Sequence, residues 1–306
     1  MPLPPYRVDY SPIIERPPIR WPGGARVALW VVVNVEHYEL LPDYDDLFDP
    51  WPRVPHPDVL EYSRRDYGNR VGFWRLLRVL DKHGIRACAD LNLAVLEHFP
   101  EIRDAMVERS WDFMSHGIYN TRYLYAMSEA DEREWYKDCI ETLRRHTGKQ
   151  LKGMLGPAVT SSVNTPDLMA EAGLIYHADW LHDDQPFPIN VRSGKLVSLP
   201  YKAETNDGPN FRANHEGDYF AKVCRAQFDQ LYREGAESGR VMCISIHPYL
   251  TGRPHRIRHL DGLLGYIMSH DGVWQATAEE IAEHYIANHY DEVAAHARSL
   301  NQRARG

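Results

Sequence analysis

Three apolar runs in this chain each end in a short cluster of ionisable and amide side chains. Residues 27–33 lead into Asn34-Val35-Glu36-His37, and residues 111–114 into Ser115-His116-Gly117-Ile118-Tyr119-Asn120. Residues 241–244 lead into Ser245-Ile246-His247-Pro248-Tyr249. Residues 27–35 are apolar apart from Asn34, the pattern of a strand buried on both faces. Helical spacing follows at 71–83, stopping at Gly84, and again at 94–108. Ser128, with Glu129, Asp131 and Glu132 behind it, opens a helix that closes at Gly148. Thr165-Pro166 reads as an N-cap with Pro at the first helical position, in a helix ending at Gly173. Helices are also expected at 218–234, 259–269 and 277–289, the last with a Thr277/Glu280 capping box. Further strands fall at 86–92, 151–155, 175–180, 196–201 and 272–276. Seven or eight such βα units without internal repeats imply a barrel or an open doubly wound sheet. Neither GxGxxG nor GxxxxGK occurs, which counts against the nucleotide-binding open sheet. In a β/α barrel the strand C-termini are where chemistry is done, so the chain reads as an enzyme.

A length of 306 residues suits one barrel, and nothing demands a second domain. The expected organisation is a Pro-rich extended arm over 1–25, a barrel over 26–290 and a tail over 291–306. A net charge of -8 leaves no basic surplus to neutralise phosphates, which argues against a general nucleic-acid or anionic-membrane partner. No run of eighteen apolar residues occurs. Met1-Pro2-Leu3-Pro4-Pro5-Tyr6 has neither a basic nor an apolar signal region, so cytoplasm is the expected location. The cysteines at 88, 139, 224 and 243 share no CxxC spacing and read as buried small hydrophobes in a reducing compartment.

Glu36 ends a buried strand, where a carboxylate is costly unless it is paired, metal-bound or catalytic. The structural alternative is a salt-bridged acid facing the long loop over 40–68, for which no period is found. His116 and Asn120 stand four apart, and a His at the second position would make a strong metal signal. Asn is a weaker oxygen ligand, so His116 could instead bond locally while Asn120 caps a turn. His247 suits acid–base work near neutral pH. Gly156-Pro157 resembles a backbone platform for close approach to a substrate. The segment Asp179-Trp180-Leu181-His182-Asp183-Asp184 is either a solvated acidic loop or a substrate-orienting one. No Gly-x-Ser-x-Gly elbow is present, and no cysteine stands at a strand end beside a turn, so a serine or thiol hydrolase is not expected.

Taken in order, these motifs resemble the polysaccharide deacetylase family. The likeness rests on a strand ending in an acid, Ser-His-Gly-x-x-Asn, and Gly-Pro followed by Asn-Thr-Pro-Asp-Leu-Met-Ala-Glu-Ala-Gly. Ala-Asp-Trp-x-x-Asp-Asp-Gln-Pro and Ser-Ile-His-Pro-Tyr complete it, over about residues 18 to 290. The branch most resembled contains metal-independent allantoinases and cyclic imide hydrolases, and the resemblance implies a distorted (β/α)7 barrel in a single α/β domain. Departures from the sugar-deacetylase pattern are informative. Asn34 and Glu36 stand where those enzymes begin with an Asp-rich motif, and His116 with Asn120 replaces a His pair. The third motif, which carries an Arg in those enzymes, reads Lys152-Gly153-Met154-Leu155-Gly156-Pro157 here. Glu36, His116 and Asn120 could still form a weak site for one divalent, zinc-like metal; otherwise no cofactor is implied.

The expected reaction is hydrolysis of a non-peptide C–N bond in a small cyclic amide, imide or ureide. Glu36 would be the base, and His247 the acid or oxyanion stabiliser, with His116 beside them. Asn34, Asp90, Tyr119, Gly156, Pro157, Trp180, Asp183 and Tyr249 are expected to contact substrate. The alternatives are N-deacetylation of an amino sugar or small acetamide, and a non-catalytic ligand-binding barrel. Tyr44, Phe48, Trp51, Tyr62, Tyr67, Trp180 and Phe187 either roof the pocket or pack an interface in a homodimer or homotetramer.

Overall fold

In the computed structural model, which describes residues 7–42, 57–125 and 127–303, the apolar runs form a single curled sheet. Its strands are β1 (Val27–Val35), β2 (Cys88–Leu91), β3 (Asp112–Ser115), β4 (Gly153–Met154), β5 (Tyr176–His177), β6 (Phe187–Ile189), β7 (Leu196–Ser198), β8 (Arg240–Ile246) and β9 (Val273–Gln275). The order is β6-β7-β5-β4-β3-β2-β1-β8, with β9 also on β1. Every pair is parallel except β6 with β7. Seven parallel strands therefore run from β8 to β7, the half-barrel of a distorted (β/α)7 fold. The open side is narrowed by irregular chain: Ser245 N donates to Thr205 O at 2.9 Å, and Val241 N to Asp184 O at 2.9 Å.

All nine residues of β1 are buried, as a strand with helices outside and packed side chains inside requires. The caps predicted at Ser128, Gly148 and Thr277 form. Ser128 accepts from Asp131 N, Gly148 closes that helix at φ 72°, and the Thr277/Glu280 capping box is complete. All four cysteines are free and buried. Trp21 of the N-terminal arm is buried against the barrel and donates from Nε1 to Arg240 O at 2.9 Å. Among the described residues no helix is long and apolar enough to cross a membrane.

Several elements differ from expectation. The aperiodic segment over 40–68 contains a helix, Val59–Tyr67, capped by Asp58 and braced by an Arg65–Glu61 pair at 2.7 Å. Its apolar residues Val59 and Leu60 are exposed, so no buried stripe marks the helix in the sequence. Tyr44, Phe48 and Trp51 lie outside the described residues. The helix expected at 94–108 is two, Val95–His98 and Pro100–Glu108, since Pro100 cannot continue the first. Asn164, not Thr165, occupies the N-cap of Thr165–Glu171. A short helix, Asp207–Arg212, and strand β6 were not anticipated, and residues 291–306 begin inside a helix, Tyr290–Arg303. Val293, Ala294 and Ala297 of that helix pack into the core.

Helix Val59–Tyr67 joins helix Phe73–Lys82 through a wider π-helical turn, Gly68–Gly72. The turn after β8 rests on this wide turn. A Cβ on Gly72 would stand 1.9 Å from the Pro248 carbonyl oxygen, and one on Gly68 2.9 Å from Tyr249 N. Both neighbours are backbone and cannot rotate away. Gly72→Ala is therefore expected to destabilise the protein by about 1–3 kcal/mol and to displace His247. Paired measurements of Tm and kcat test this: both should fall, and a variant that keeps both would mean the contact is not tight.

Candidate active site

Alternation along the strands decides which polar residues meet. On β1, Ala28, Trp30 and Val32 pack inside the curled sheet with Cys88, Met114, Val241 and Cys243. Val27, Leu29, Val31, Val33 and Val35 pack outside, under the helices. Counting on by two keeps Asn34 and Glu36 on the inner face, as it does Asp90, His116, Ser245 and His247. The register agrees, with Asn34 opposite Asp90 and Val32 opposite Ser245. Three clusters far apart in sequence thus converge at one rim.

Glu36 is at the centre. Its Oε1 lies 3.2 Å from His247 Nε2 and 3.8 Å from His116 Nε2, and its Oε2 accepts from the Tyr38 hydroxyl at 2.8 Å. Its backbone carbonyl accepts from Asn69 Nδ2 at 2.9 Å. Each histidine is held from behind. His247 Nδ1 donates to Asp207 Oδ1 at 2.5 Å, while the other oxygen of Asp207 accepts from His247 N and from Thr251 Oγ1. His116 Nδ1 lies 2.8 Å from both Leu155 O and Asp90 Oδ2. Only the carbonyl is aligned with the N–H; among the described residues both Asp90 oxygens lack a hydrogen-bond partner, so Asp90 acts on His116 through charge.

These distances fix the protonation states. Burial pushes the Glu36 carboxyl up, but the imidazoles of His247 and His116 outweigh it and hold it below the ordinary range. Burial would lower His247, yet Asp207 and Glu36 raise it to about 10. His116 is raised against its own burial to about 9, chiefly by Asp90. Burial lifts Asp90 to about 6 despite His116. At neutral pH the site therefore holds an ionised carboxylate facing two imidazolium groups. That set can accept one proton and donate another at adjacent points.

The same contacts bear on a metal. Glu36 Oε2 accepts from the Tyr38 hydroxyl and Oε1 faces His247, while Asn120 donates its amide nitrogen to the Tyr38 hydroxyl and keeps Oδ1 buried without a hydrogen-bond partner among the described residues. Among the described residues no group of three His, Cys, Asp or Glu is placed to hold a metal ion. Glu36, His116 and Asn120 offer one carboxylate, one imidazole and one amide oxygen, a weaker donor set than the three His, Cys or carboxylate ligands of a tight catalytic zinc site.

The substrate-contact set divides. Tyr249 stands beside the site, its ring 5.3 Å from that of His247, and Asp90 backs His116. Gly156 and Pro157 follow the Leu155 carbonyl that holds His116, and Gly156 N is used on Asp179 at 2.8 Å. Asn34 donates its amide nitrogen to Ser245 Oγ and Ile246 O. Asp183 is paired with Arg16 at 2.7 Å and caps the turn at Asp184 and Gln185. Trp180 donates to His177 Nδ1, and Tyr119 packs on His37 and under Arg122. Sequence reading missed Tyr38, Asn69, Asp207 and Thr251. Tyr38 could have been found, being two residues beyond Glu36 and so on the same face.

A cavity of about 700 Å³ opens beside these groups, with Tyr38, Gly208 and Tyr249 on its inner side. Gly208 is where it reaches the site, since a Cβ there would stand 3.3 Å from His247 Cε1.

Residues 63–177 match the polysaccharide deacetylase family. A Schizosaccharomyces pombe protein named for the polysaccharide deacetylases is 31% identical, over 88% of this chain and 93% of that protein. The peptidoglycan deacetylase of Helicobacter pylori is 24% identical over 74% of this chain and 87% of its own length. Among solved structures, the Puue allantoinase superposes with a TM-score of 0.81 at 31% identity, covering 92% of this chain and 99% of that one. A polysaccharide deacetylase-type protein of Pseudomonas aeruginosa PAO1 gives 0.77 at 32% identity, covering 89% and 95%.

Proposed function

Because the chain belongs to the polysaccharide deacetylase family and is a hydrolase of non-peptide carbon–nitrogen bonds, we propose that its substrate is a small cyclic amide, imide or ureide. The observation that carries this reading is the closed acid–base set. Glu36 has its two oxygens committed to Tyr38 and His247, beside a charged His116, which suits water activation by side chains alone. The similarity to an allantoinase over 92% of the chain supports a cyclic substrate.

In this reading Glu36 takes a proton from water as the oxygen attacks the carbonyl carbon. The imidazolium of His247 steadies the oxyanion, then gives its proton to the departing nitrogen as the C–N bond breaks. Glu36 returns its proton through the rim, and His247 is recharged. Asp207 fixes the orientation of His247, and the Leu155 carbonyl fixes that of His116. Deacetylation of an amino sugar is the second reading, favoured by the match to the family at large and to a peptidoglycan deacetylase.

A turnover panel separates the readings. Allantoin, hydantoin, succinimide and phthalimide-like imides are set against acetylated glucosamines. Turnover of a cyclic substrate and of no acetylated sugar is the expected result. Deacetylation alone would establish the second reading, and no turnover at all a ligand-binding barrel. Activity is also expected to survive dialysis against a chelator. Loss on chelation with recovery on adding zinc would overturn the metal-free mechanism.

A further inference from the structure

The chain is acidic, with a net charge of -8, yet the cavity beside the site is lined by Arg64, Arg65, Arg212, Arg253 and Arg256. Among the described residues Glu61 is the one acid in its lining, and it is spent on Arg65 at 2.7 Å and Arg64 at 3.4 Å. Arg256 is paired outside the lining with Glu216 at 3.2 Å. Arg253 has carbonyl partners instead, Tyr249 O at 3.0 Å and Arg64 O at 3.2 Å, and stacks 3.8 Å over the Tyr67 ring. Arg212 is exposed at the rim of the cavity. Crowding of like charge is felt within the cluster: burial, then Arg256, Arg64 and Arg75, hold the Arg253 guanidinium below its ordinary range despite Tyr67.

Five guanidinium groups in one concave site, against a single carboxylate among the described lining residues, present forked donors and a net positive field. Tyr38 and Tyr249 line the cavity and also touch Glu36 and His247, and Arg65 lies 4.5 Å over the Tyr38 ring. We propose that this cavity is an oxyanion-group subsite: the substrate carries a carboxylate or phosphate beyond the bond that is cut, received by Arg212 and Arg253. The inference rests on the hydrolase reading above and narrows its substrate class to anionic molecules.

A matched set of cyclic imides bearing a carboxylate, a phosphate or a neutral methyl ester tests it with the full chain. The wild type should favour an anionic member over the ester by about tenfold or more in kcat/KM, a preference shrinking as salt is raised. Which anionic member leads tells carboxylate from phosphate. Arg212→Glu should cut that preference about tenfold, and Arg253→Gln should do the same. Arg212 is exposed, so its variant keeps the test alive if Arg253→Gln fails to fold. Calorimetric titration with succinate and with inorganic phosphate reads the subsite without catalysis. At least one should bind the wild type, and bind Arg212→Glu about tenfold more weakly. Equal rates on anionic and neutral members, or anion binding indifferent to both substitutions, would overturn the subsite and leave the hydrolase reading standing. No turnover of any imide alongside Arg212-dependent anion binding would do the reverse.

Discussion

Glu36→Gln is expected to lower kcat/KM on the cyclic substrate by about 10²-fold or more while leaving the protein folded. Gln is nearly isosteric and can still accept from the Tyr38 hydroxyl, so the packing around β1 has no reason to change. What disappears is the ionised group that, among the described residues, faces both Nε2 atoms, 3.2 and 3.8 Å away. Stability should move little because two large effects oppose each other. Relief from burying a carboxylate offsets the lost attraction to two imidazolium groups. The measurement is single-turnover kinetics on the variant alongside its melting curve. Near-normal turnover would transfer the role of base to another group.

Much of this site was legible in the chain because strand periodicity and barrel geometry are both short-range rules. Glu36, His116 and His247 follow apolar runs, and a period of two puts them on the face that Trp30, Met114 and Cys243 already define. Asp207 was not legible for the opposite reason. It sits in the helix Asp207–Arg212, whose sequence Asp-Gly-Pro-Asn-Phe-Arg reads as a turn, and its partner lies 40 residues away. The partner of Asp183 was not legible either, because an acid in a loop looks alike whether it faces solvent, substrate or Arg16, 167 residues distant. The arginine cavity drew on residues from helix Val59–Tyr67, helix Asp207–Arg212 and the turn after β8, three segments with no common period. Local patterns report which face a residue takes; they do not report which faces meet.

Asp207→Asn gives the second large effect, with opposite signs in two measurements. In the wild type, Asp207 accepts from His247 Nδ1 at 2.5 Å, and it leads the interactions that raise that imidazole to about 10. The amide removes the charge and offers His247 a group that can donate as readily as accept. The rate should fall by about 10²-fold, as loss of an oriented acid–base group does. His247 must be charged to donate, so lowering its pKa brings the alkaline limb of the rate profile down from about 10 toward neutrality. The rate deficit should therefore widen as pH rises from 6 to 9. Stability runs the other way. A histidine raised from 6.5 to about 10 on folding contributes stability that is fully present below 6.5 and is lost as pH climbs through 10. The pH-dependent part of the loss in Tm on removing Asp207 should be greatest in mild acid and fade toward pH 10. A Tm difference constant across that range, together with a parallel downward shift of the rate profile, would mean that Asp207 only packs the turn and does not charge His247.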